Sequence, residues 1–459
     1  MAPTPSVFLV VAVVIALGYA AGRLTTRTRF PDVAMLLLVG LLVGPVNRVL
    51  VEYGSGSAAV AEALDPSTLR DVAPLVSGIA LVVILFEAGM SLELRLVRRS
   101  LGPALRIALP VFILSVAAVA SVGRWVYGMP PLVALALGVA LSNVGQTVSS
   151  ALLRRMNIDP NARAVGLVEM AIYDIISVPI LVTIFLFAGG DSSGASAWGE
   201  GLRGFVRITS ISVLLGAGLG LVWVLALRRL HGHPHSYMLT MAALLSLYAI
   251  TEILGGAGAV SVLLFGLFIG NRTSLTRLPA AEARLEGEET KVQAFHEEVT
   301  FLVRTMFFLF LGASFVVGLH DQWPVSSRLW PLQVLEHRAA LFGLGAALVL
   351  IALPLARAVV IPLVGRRKHR DLRGLIPVFG HGLGTAVLAT FPFVWKEFRD
   401  GTAFHAAFAP WQPVFVNLAF LVILVSVLGS GLLVFLGERT NAPPAAPAEA
   451  ISRPARRPK

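Results

Sequence analysis

The stretch from Asn161 to Phe187 is apolar over the width of a membrane and yet carries two acidic residues, Glu169 and Asp174. A bilayer's hydrocarbon core takes about 20 residues of helix, and a charge at its centre costs at least ~2.5 kcal/mol. Folding alone does not require an acidic residue at this depth. We therefore expect Asp174 to take up and release protons and cations. A buried, hydrogen-bonding aspartate that holds two helices together is the alternative.

The rest of the chain predicts many further membrane spans. Of its 459 residues 56% are apolar, more than a water-soluble domain covers with polar surface. We predict an all-α membrane protein with about thirteen transmembrane helices. The spans begin near Ser6, Pro31, Val72, Gly102, Pro131, Arg163, Gly204, Ser236, Gly256, Glu298, Ala339, Leu372 and Pro413.

Charged residues orient these spans. The odd-numbered loops are basic, with the densest run from Arg366 to Arg373, whereas the loop after the second span is acidic from Glu52 to Asp71. The positive-inside rule then predicts an N-terminus outside and a C-terminus in the cytoplasm. The net charge of +11 is thus assigned to loops that face anionic lipid, not to nucleic acid. No cysteine is present, which excludes disulfides and thiolate metal sites.

Three polar segments are expected outside the bilayer. Asn271 to Glu297 is mixed in charge and predicts an amphipathic segment on the cytoplasmic surface. Residues 438–459 predict a disordered basic tail that touches lipid. His231, His233 and His235 suggest a pH sensor or a weak metal site, but a solvated turn is favoured, and we assign no metal or cofactor.

Two spans are interrupted by glycine and polar residues near mid-membrane, at Ser142–Gln146 in the fifth and at Gly380–Thr385 in the twelfth. If the seventh span joins two six-span halves, each break falls in the fifth span of its half. This predicts two inverted six-helix repeats with discontinuous helices 5 and 12, whose unwound segments offer backbone groups to an ion. Glycines that only allow close packing are the alternative.

The two acids of the sixth span are expected to differ in role. They are five residues apart and so point roughly 140° apart around the helix, while Tyr173 shares the face of Glu169. Arg357 lies at a compatible depth in the eleventh span, and we expect it to form a structural ion pair with Glu169. Arg304 in the tenth span is the rival partner.

These residues resemble the sodium/hydrogen exchanger type of monovalent cation:proton antiporter. MLLLVGLLVGP and LVVILFEAGMSLELRLVRR are similar to that family's second and third helices, and EMAIYD is similar to its Glu-Ser-x-x-Asn-Asp motif. The resemblance implies that Asp174 is the transport aspartate and that Glu169 and Arg357 are the structural pair. It also implies that Glu87 contributes to the cation site, with a plain polar residue at a helix end as the alternative.

The resemblance further implies a division of the membrane domain, residues 1–437, and a homodimer. Residues 1–99 and 236–320 would form the dimerisation scaffold. Residues 100–190 and 336–437 would form the moving core, and residues 203–229 the helix that links the two units.

The chain departs from the family's pattern where the ion would bind. Val144, Gly145 and Gln146 stand in place of Thr-Asp-Pro, so one carboxylate is missing. Fewer anionic ligands compensate less for dehydrating a small ion, which makes K⁺ an alternative to Na⁺. The candidate ion and proton ligands are Asp174, Asn143, Ser142, Glu87 and Tyr173, and the candidate regulatory residues are His381, in place of an arginine, and Arg304.

The expected function is exchange of Na⁺ or K⁺ for H⁺ across a bacterial inner membrane. H⁺ and the cation would compete for one carboxylate, and Tyr173 stays protonated at ordinary pH, so exchange is predicted to be one-for-one and electroneutral. An organic-anion symporter would need a further basic residue at the broken spans, where only His381 is near. A non-transporting receptor or regulator is the other alternative. An enzyme is not expected, because the sequence shows no pairing of a nucleophile with a general base.

Overall fold

The computed structural model is helical throughout the part that it describes. That part comprises residues 31–56, 66–90, 94–189, 195–229, 236–272, 282–315, 338–365, 370–394 and 401–440, with isolated positions between 12 and 23. Six helices in it are long and apolar enough to span a membrane, and five shorter apolar helices accompany them. The predicted class of all-α membrane protein is confirmed.

The helices are numbered in chain order. Shorter turns interrupt or join several of them: a π-helical turn lies within the first, and a 3₁₀ turn at Arg370–Leu375 precedes the twelfth. The helices are α1 Asp32–Glu52, α2 Pro66–Met90, α3 Leu94–Ser121, α4 Pro131–Leu141, α5 Gln146–Arg155, α6 Pro160–Gly189, α7 Ala195–Arg229, α8 Ser236–Ile253, α9 Gly258–Gly270, α10 Glu282–Ala313, α11 Arg338–Gly365, α12 Leu383–Val394, α13 Ala403–Phe408 and α14 Gln412–Thr440.

These helices lie where the second and later spans are predicted, while the total of thirteen and the inverted repeat stay predictions. Most of the first predicted span and the His231, His233 and His235 cluster lie outside the described residues. Helix α14 continues to Thr440, and the rest of the predicted tail also lies outside. Part of the predicted amphipathic segment at Asn271–Glu297 is helical, because α10 begins at Glu282 and runs without a break into its apolar part, while its position on the cytoplasmic surface stays a prediction.

Close backbone contacts hold the helices together at several crossings. Helix α9 packs between α2 and α7, and α1 packs against α10. A Cβ added at Gly266 of α9 would strike the Phe86 carbonyl oxygen of α2, and one added at Gly40 of α1 would strike the Leu309 carbonyl oxygen of α10. Lipid supplies no hydrophobic drive between helices, so such close packing is what stabilises these pairs.

Helix α6 is held along its length by other helices, which places its acidic residues. It packs against α3, α4 and α7. Near its C-terminal end, the Phe185 ring meets Phe404 and Phe408 of α13 edge-on, with ring centroids 5.3 and 5.7 Å apart, and lies 5.5 Å from Phe391 of α12. Both α6 and the second half of the twelfth predicted span are therefore fixed in one aromatic cluster.

Candidate functional site

The two interrupted spans cross each other at their breaks. Between α4 and α5 the chain is extended, and the Gly145 amide donates a hydrogen bond to the Gly380 carbonyl oxygen at 3.0 Å. The Ser149 hydroxyl donates to the same carbonyl, also at 3.0 Å. A Cβ on Gly145 would lie 2.5 Å from the Gly382 nitrogen, so only glycine permits this approach. Backbone groups that are unwound in the membrane are thus satisfied by one another.

Three half-helix ends meet at this crossing. Helix α4 ends at Leu141, while α5 begins at Gln146 and α12 at Leu383. The Thr385 hydroxyl in the first turn of α12 donates to the Asn143 carbonyl oxygen at 2.5 Å, which ties the two breaks together. The helix N-termini bring partial positive charge and the C-terminus brings partial negative charge. Such an arrangement can hold an anion and a cation side by side.

Asp174 of α6 lies beside the crossing. The Asn143 amide nitrogen donates a hydrogen bond to Asp174 Oδ1 at 2.9 Å. An ionised carboxylate only accepts hydrogen bonds, so with Asp174 ionised the Asn143 amide presents its nitrogen to Asp174. Asp174 keeps 8% of its surface accessible, and among the residues that the structure describes no basic side chain forms an ion pair with it.

Asn143 brings an unused ligand atom to the same place. The residue is buried, yet its Oδ1 receives no hydrogen bond within the described part of the chain. A buried amide oxygen without a partner costs about 1–3 kcal/mol, unless a bound ion or water satisfies it. Asn143 can therefore offer one neutral oxygen beside the charged oxygens of Asp174.

Glu169 lies in a sealed ion pair with Arg357. Arg357 Nη1 donates to Oε1 at 2.5 Å and Nη2 donates to Oε2 at 2.9 Å, and neither residue is more than 1% exposed. Arg357 Nε also donates to the Leu375 carbonyl oxygen at 2.9 Å. The pair therefore connects α6 to α11 and to the 3₁₀ turn that precedes the second break.

The structure places Tyr173 with this ion pair and not with Asp174, contrary to its predicted place in the ion site. Its hydroxyl donates to Glu169 Oε1 at 2.7 Å, and its ring stacks on Phe112 with centroids 5.9 Å apart. The spacing of four residues puts Tyr173 on the face of Glu169, as the helical geometry requires. Adjacency to Asp174 in the sequence is therefore misleading.

The other two predicted ligands, Glu87 and Ser142, lie in different surroundings. Glu87 of α2 is half-buried and within electrostatic range of Asp174. Ser142 is buried at the end of α4, where its hydroxyl donates to the Gly138 carbonyl oxygen at 2.7 Å. A hydroxyl that donates one hydrogen bond can still accept through its oxygen, so Ser142 stays a candidate ligand.

His381 and Arg304, the candidate regulatory residues, lie in separate places. His381 is in the second break; its amide donates to Ser426 Oγ at 2.9 Å, and its ring nitrogens are buried near the Leu141 and Phe379 carbonyls, outside hydrogen-bonding geometry. Arg304 forms an ion pair with Asp32 of α1 at 3.0 Å, so it is not the partner of Glu169.

Sequence reasoning missed the serines that hold the second break. Ser426 and Ser430 of α14 bond the amides of His381 and Phe379, at 2.9 and 3.3 Å. Their spacing of four residues in an apolar helix places both on one face, which is the signal that could have identified them.

The sodium/hydrogen exchanger transmembrane family matches residues 10–436 of the chain, and thus both broken spans and all of α6. The chain belongs to this family. The K⁺/H⁺ antiporter NhaP of Alkalimonas amylolytica is 25% identical to it over 434 residues, which are 92% of this chain and 64% of the relative. The Na⁺/H⁺ antiporter NhaS2 of Synechocystis is 26% identical over 294 residues, which are 63% of this chain and 52% of that relative.

This exchanger-family chain also has the fold of a solved member. The sodium proton antiporter MjNhaP1 of Methanocaldococcus jannaschii superposes with a TM-score of 0.69 at 17% identity, over 94% of this chain and 98% of that one. The chain spans about two thirds or less of the length of the curated relatives it matches.

Proposed function

We propose that this protein exchanges a monovalent cation, Na⁺ or K⁺, for H⁺ by alternating access. The observation that carries the proposal is the position of Asp174, a buried acid beside two crossed, unwound spans, which forms no ion pair with any basic side chain in the described part of the chain. Family membership and the antiporter names of the relatives support exchange over the two alternatives, an organic-anion symporter and a non-transporting receptor.

The mechanism follows from the charge of one carboxylate. A protonated Asp174 is neutral, and so is Asp174 with a bound monovalent cation, whereas the bare anion carries a charge that is costly to expose to hydrocarbon. The two loaded forms can therefore cross while the empty form is held back. This predicts obligatory exchange of one cation for one proton without net charge movement.

The cation is held by few ligands in this proposal. Asp174 supplies the negative charge and Asn143 Oδ1 a neutral oxygen, while Ser142 and Glu87 stay candidate ligands. Tyr173 takes no part, because its hydroxyl is bonded to Glu169.

The moving unit in this proposal contains α3 to α6 and α11 to α14. The Glu169–Arg357 pair and the aromatic cluster around Phe185 join its parts, so that they can move as one body. Residues 1–99 and 236–320 would form the scaffold of a homodimer and residues 203–229 the linking helix. We place the protein in a bacterial inner membrane with its N-terminus outside and its C-terminus in the cytoplasm.

The test uses purified protein in liposomes with a trapped pH dye, to which Na⁺, K⁺ or Li⁺ is added in turn. We expect a cation-driven pH change whose apparent KM for the cation rises as the pH falls, because both ions compete for Asp174. An imposed membrane potential should leave the turnover unchanged. If no cation moves protons, the proposal is wrong; if turnover follows the potential, the one-for-one stoichiometry is wrong.

A further inference from the structure

The N-terminal part of α7 carries two arginines on an exposed face. Arg203 and Arg207 are both exposed and, being four residues apart, lie on the same side of the helix. Among the residues that the structure describes, no side chain forms an ion pair or a hydrogen bond with either of them. Nor does the helix offer an acid to Arg207, because the positions three and four residues away hold Arg203, Gly204, Ser210 and Ile211. The described part of the chain therefore leaves both charges without a counter-ion.

The depth of Arg207 matches the boundary between lipid headgroups and hydrocarbon. Residues 208–227, which separate it from Arg228 near the other end of α7, are twenty in number and carry no charge. At a rise of 1.5 Å per residue they extend about 30 Å, the thickness of a bilayer's hydrocarbon core. When α7 spans the membrane, Arg207 thus lies at the level of the lipid phosphates, with Arg203 about 6 Å farther out.

The exposed face of α7 continues from the arginines into the apolar part of the helix. Ser210 is exposed three residues after Arg207, and Leu214 and Leu221 follow on the same side with 72% and 49% of their surface accessible. Between these two leucines a Cβ added at Gly218 would meet nothing within 4 Å, so the face is open there. The face therefore presents, in order, two cations, a hydroxyl and an apolar strip, which is the order of phosphate, ester and acyl chain in a phospholipid.

We propose that Arg203 and Arg207 bind the phosphate of an anionic phospholipid whose acyl chain lies along Leu214 and Leu221. The planar guanidinium group matches the geometry of a phosphate and binds it through two parallel hydrogen bonds. Two adjacent cations favour a lipid with net negative charge, because the ammonium group of a zwitterionic lipid offsets its own phosphate. This binding goes beyond the proposed exchange and does not depend on it.

The position of the arginines also distinguishes this role from a signal that orients the helix. In the proposed orientation the N-terminal end of α7 lies outside, whereas basic residues that orient spans gather in cytoplasmic loops. Arg203 and Arg207 thus need another explanation, and a bound anion supplies one.

A second copy of the chain suits this face less well than a lipid. The two-fold axis of a membrane dimer is perpendicular to the bilayer, so the same surface of both copies meets at equal height. Arg203 and Arg207 would then face the same arginines of the partner, and like charges placed opposite each other are unfavourable. The proposed dimer scaffold, residues 1–99 and 236–320, lies on other helices and leaves the face of α7 to lipid.

The experiment measures lipid binding by thermal unfolding of the purified protein in a neutral detergent. The parent, Arg203→Gln, Arg207→Gln and Arg207→Lys are titrated with phosphatidylglycerol, or with phosphatidylcholine that has the same acyl chains. A bound lipid raises the unfolding temperature with its concentration, which gives an apparent Kd. Arg106→Gln is the matched control, since Arg106 is an exposed arginine in another membrane-spanning segment, Ser100–Val126, without a second arginine one turn away.

We expect phosphatidylglycerol to raise the unfolding temperature of the parent more than phosphatidylcholine does. In Arg207→Gln the apparent Kd for phosphatidylglycerol should rise at least about tenfold, as expected for the loss of hydrogen bonds to a charged group, and Arg203→Gln should act in the same direction. Arg207→Lys should lie between the parent and Arg207→Gln, because an ammonium keeps the charge but not the planar fork. Arg106→Gln should bind like the parent.

Four results would overturn this site. They are equal stabilisation of the parent by both lipids, an equal loss of phosphatidylglycerol binding in Arg106→Gln, stabilisation by inorganic phosphate that matches that by the lipid, and a dimer that dissociates in Arg207→Gln in the absence of lipid. The first two would reduce the arginines to general surface charge, while the others would assign the face to free phosphate or to a second copy. Exchange is measured separately in liposomes, so a parent that binds the lipid but moves no ions would overturn the proposed function and leave this site intact.

Discussion

Glu169 and Asp174 lie five residues apart on one helix and are in opposite situations. Both oxygens of Glu169 accept hydrogen bonds from Arg357, one accepts a third from Tyr173, and no surface of the residue is accessible. Asp174 accepts one hydrogen bond from a neutral amide and keeps part of its surface accessible.

The difference supports the proposal that Asp174, and not Glu169, is the carboxylate that serves transport. A charge that is already neutralised by a fixed guanidinium gains little from a mobile cation, and breaking such a pair leaves a buried charge uncompensated. A carboxylate that has only a neutral amide beside it can instead be neutralised by a proton or by a monovalent cation. We therefore expect the acid on one face of α6 to be structural and the acid on the other face to exchange ions.

The largest effect is expected from Asp174→Asn, which should abolish exchange with every cation. Asparagine keeps the size of the side chain and an oxygen that accepts the Asn143 amide, so the unfolding temperature should stay close to that of the parent. Dye-loaded liposomes and a melting curve in detergent check this. Asp159→Asn, at the start of the same helix, is the matched control and should exchange normally. Exchange by Asp174→Asn above the level of empty liposomes would contradict the comparison.

Arg357→Leu should destabilise the protein strongly, by about 3–5 kcal/mol, because Glu169 would be left charged and buried. The double variant with Glu169→Gln should recover part of this loss, since both charges are then removed. Thermal unfolding in detergent and the yield of monodisperse protein measure both effects. A single variant as stable as the parent would mean that Glu169 is not held by this pair.

Gly145→Ala should damage the crossing on which the site depends. Its Cβ would lie 2.5 Å from backbone of the other break, which cannot move away as a flexible side chain can. Overpacking of this kind costs about 1–3 kcal/mol, and exchange should fall with the loss of stability. Gly343→Ala in α11, where a Cβ meets nothing within 4 Å, is the control. Unchanged exchange and melting in Gly145→Ala would disprove the close crossing.

Tyr173→Phe sharpens the comparison further. The variant removes one hydrogen bond to Glu169, so a loss of about 1 kcal/mol is expected, with the ion pair still in place. Apparent KM values for Na⁺ and K⁺ should not change, because the hydroxyl faces away from Asp174. A changed ion preference would return Tyr173 to the ion site.

Arg304→Gln should have the smallest effect, at most about 1 kcal/mol. Its pair with Asp32 is partly exposed, with 19% and 35% of the two side chains accessible. Both Arg304→Gln and Arg357→Leu remove one arginine from an ion pair. Comparing their melting temperatures therefore tests whether burial of the pair determines the loss of stability. Equal losses would show that burial does not separate the two pairs.

Helical period and depth were enough to predict much of the site. The angular separation of Glu169 and Asp174 follows from counting residues along a helix, and the breaks near Asn143 and His381 follow from glycine and polar residues within apolar spans. Tyr173 shows the limit of this reasoning: the motif pointed to Asp174, whereas the helical face pointed to Glu169, and the geometry follows the face. Ser426 was not predicted at all, because its role depends on a contact between distant segments.

The sequence by itself determined that the chain is a bundle of membrane helices with two interruptions and one expensive acid in mid-membrane, since hydropathy and the cost of a buried charge act locally. Only the tertiary structure decided that Gly145 meets Gly380 and that Arg357, not Arg304, neutralises Glu169. Each of these depends on which helices touch and at what height, and apolar segments of similar length carry little information about their partners.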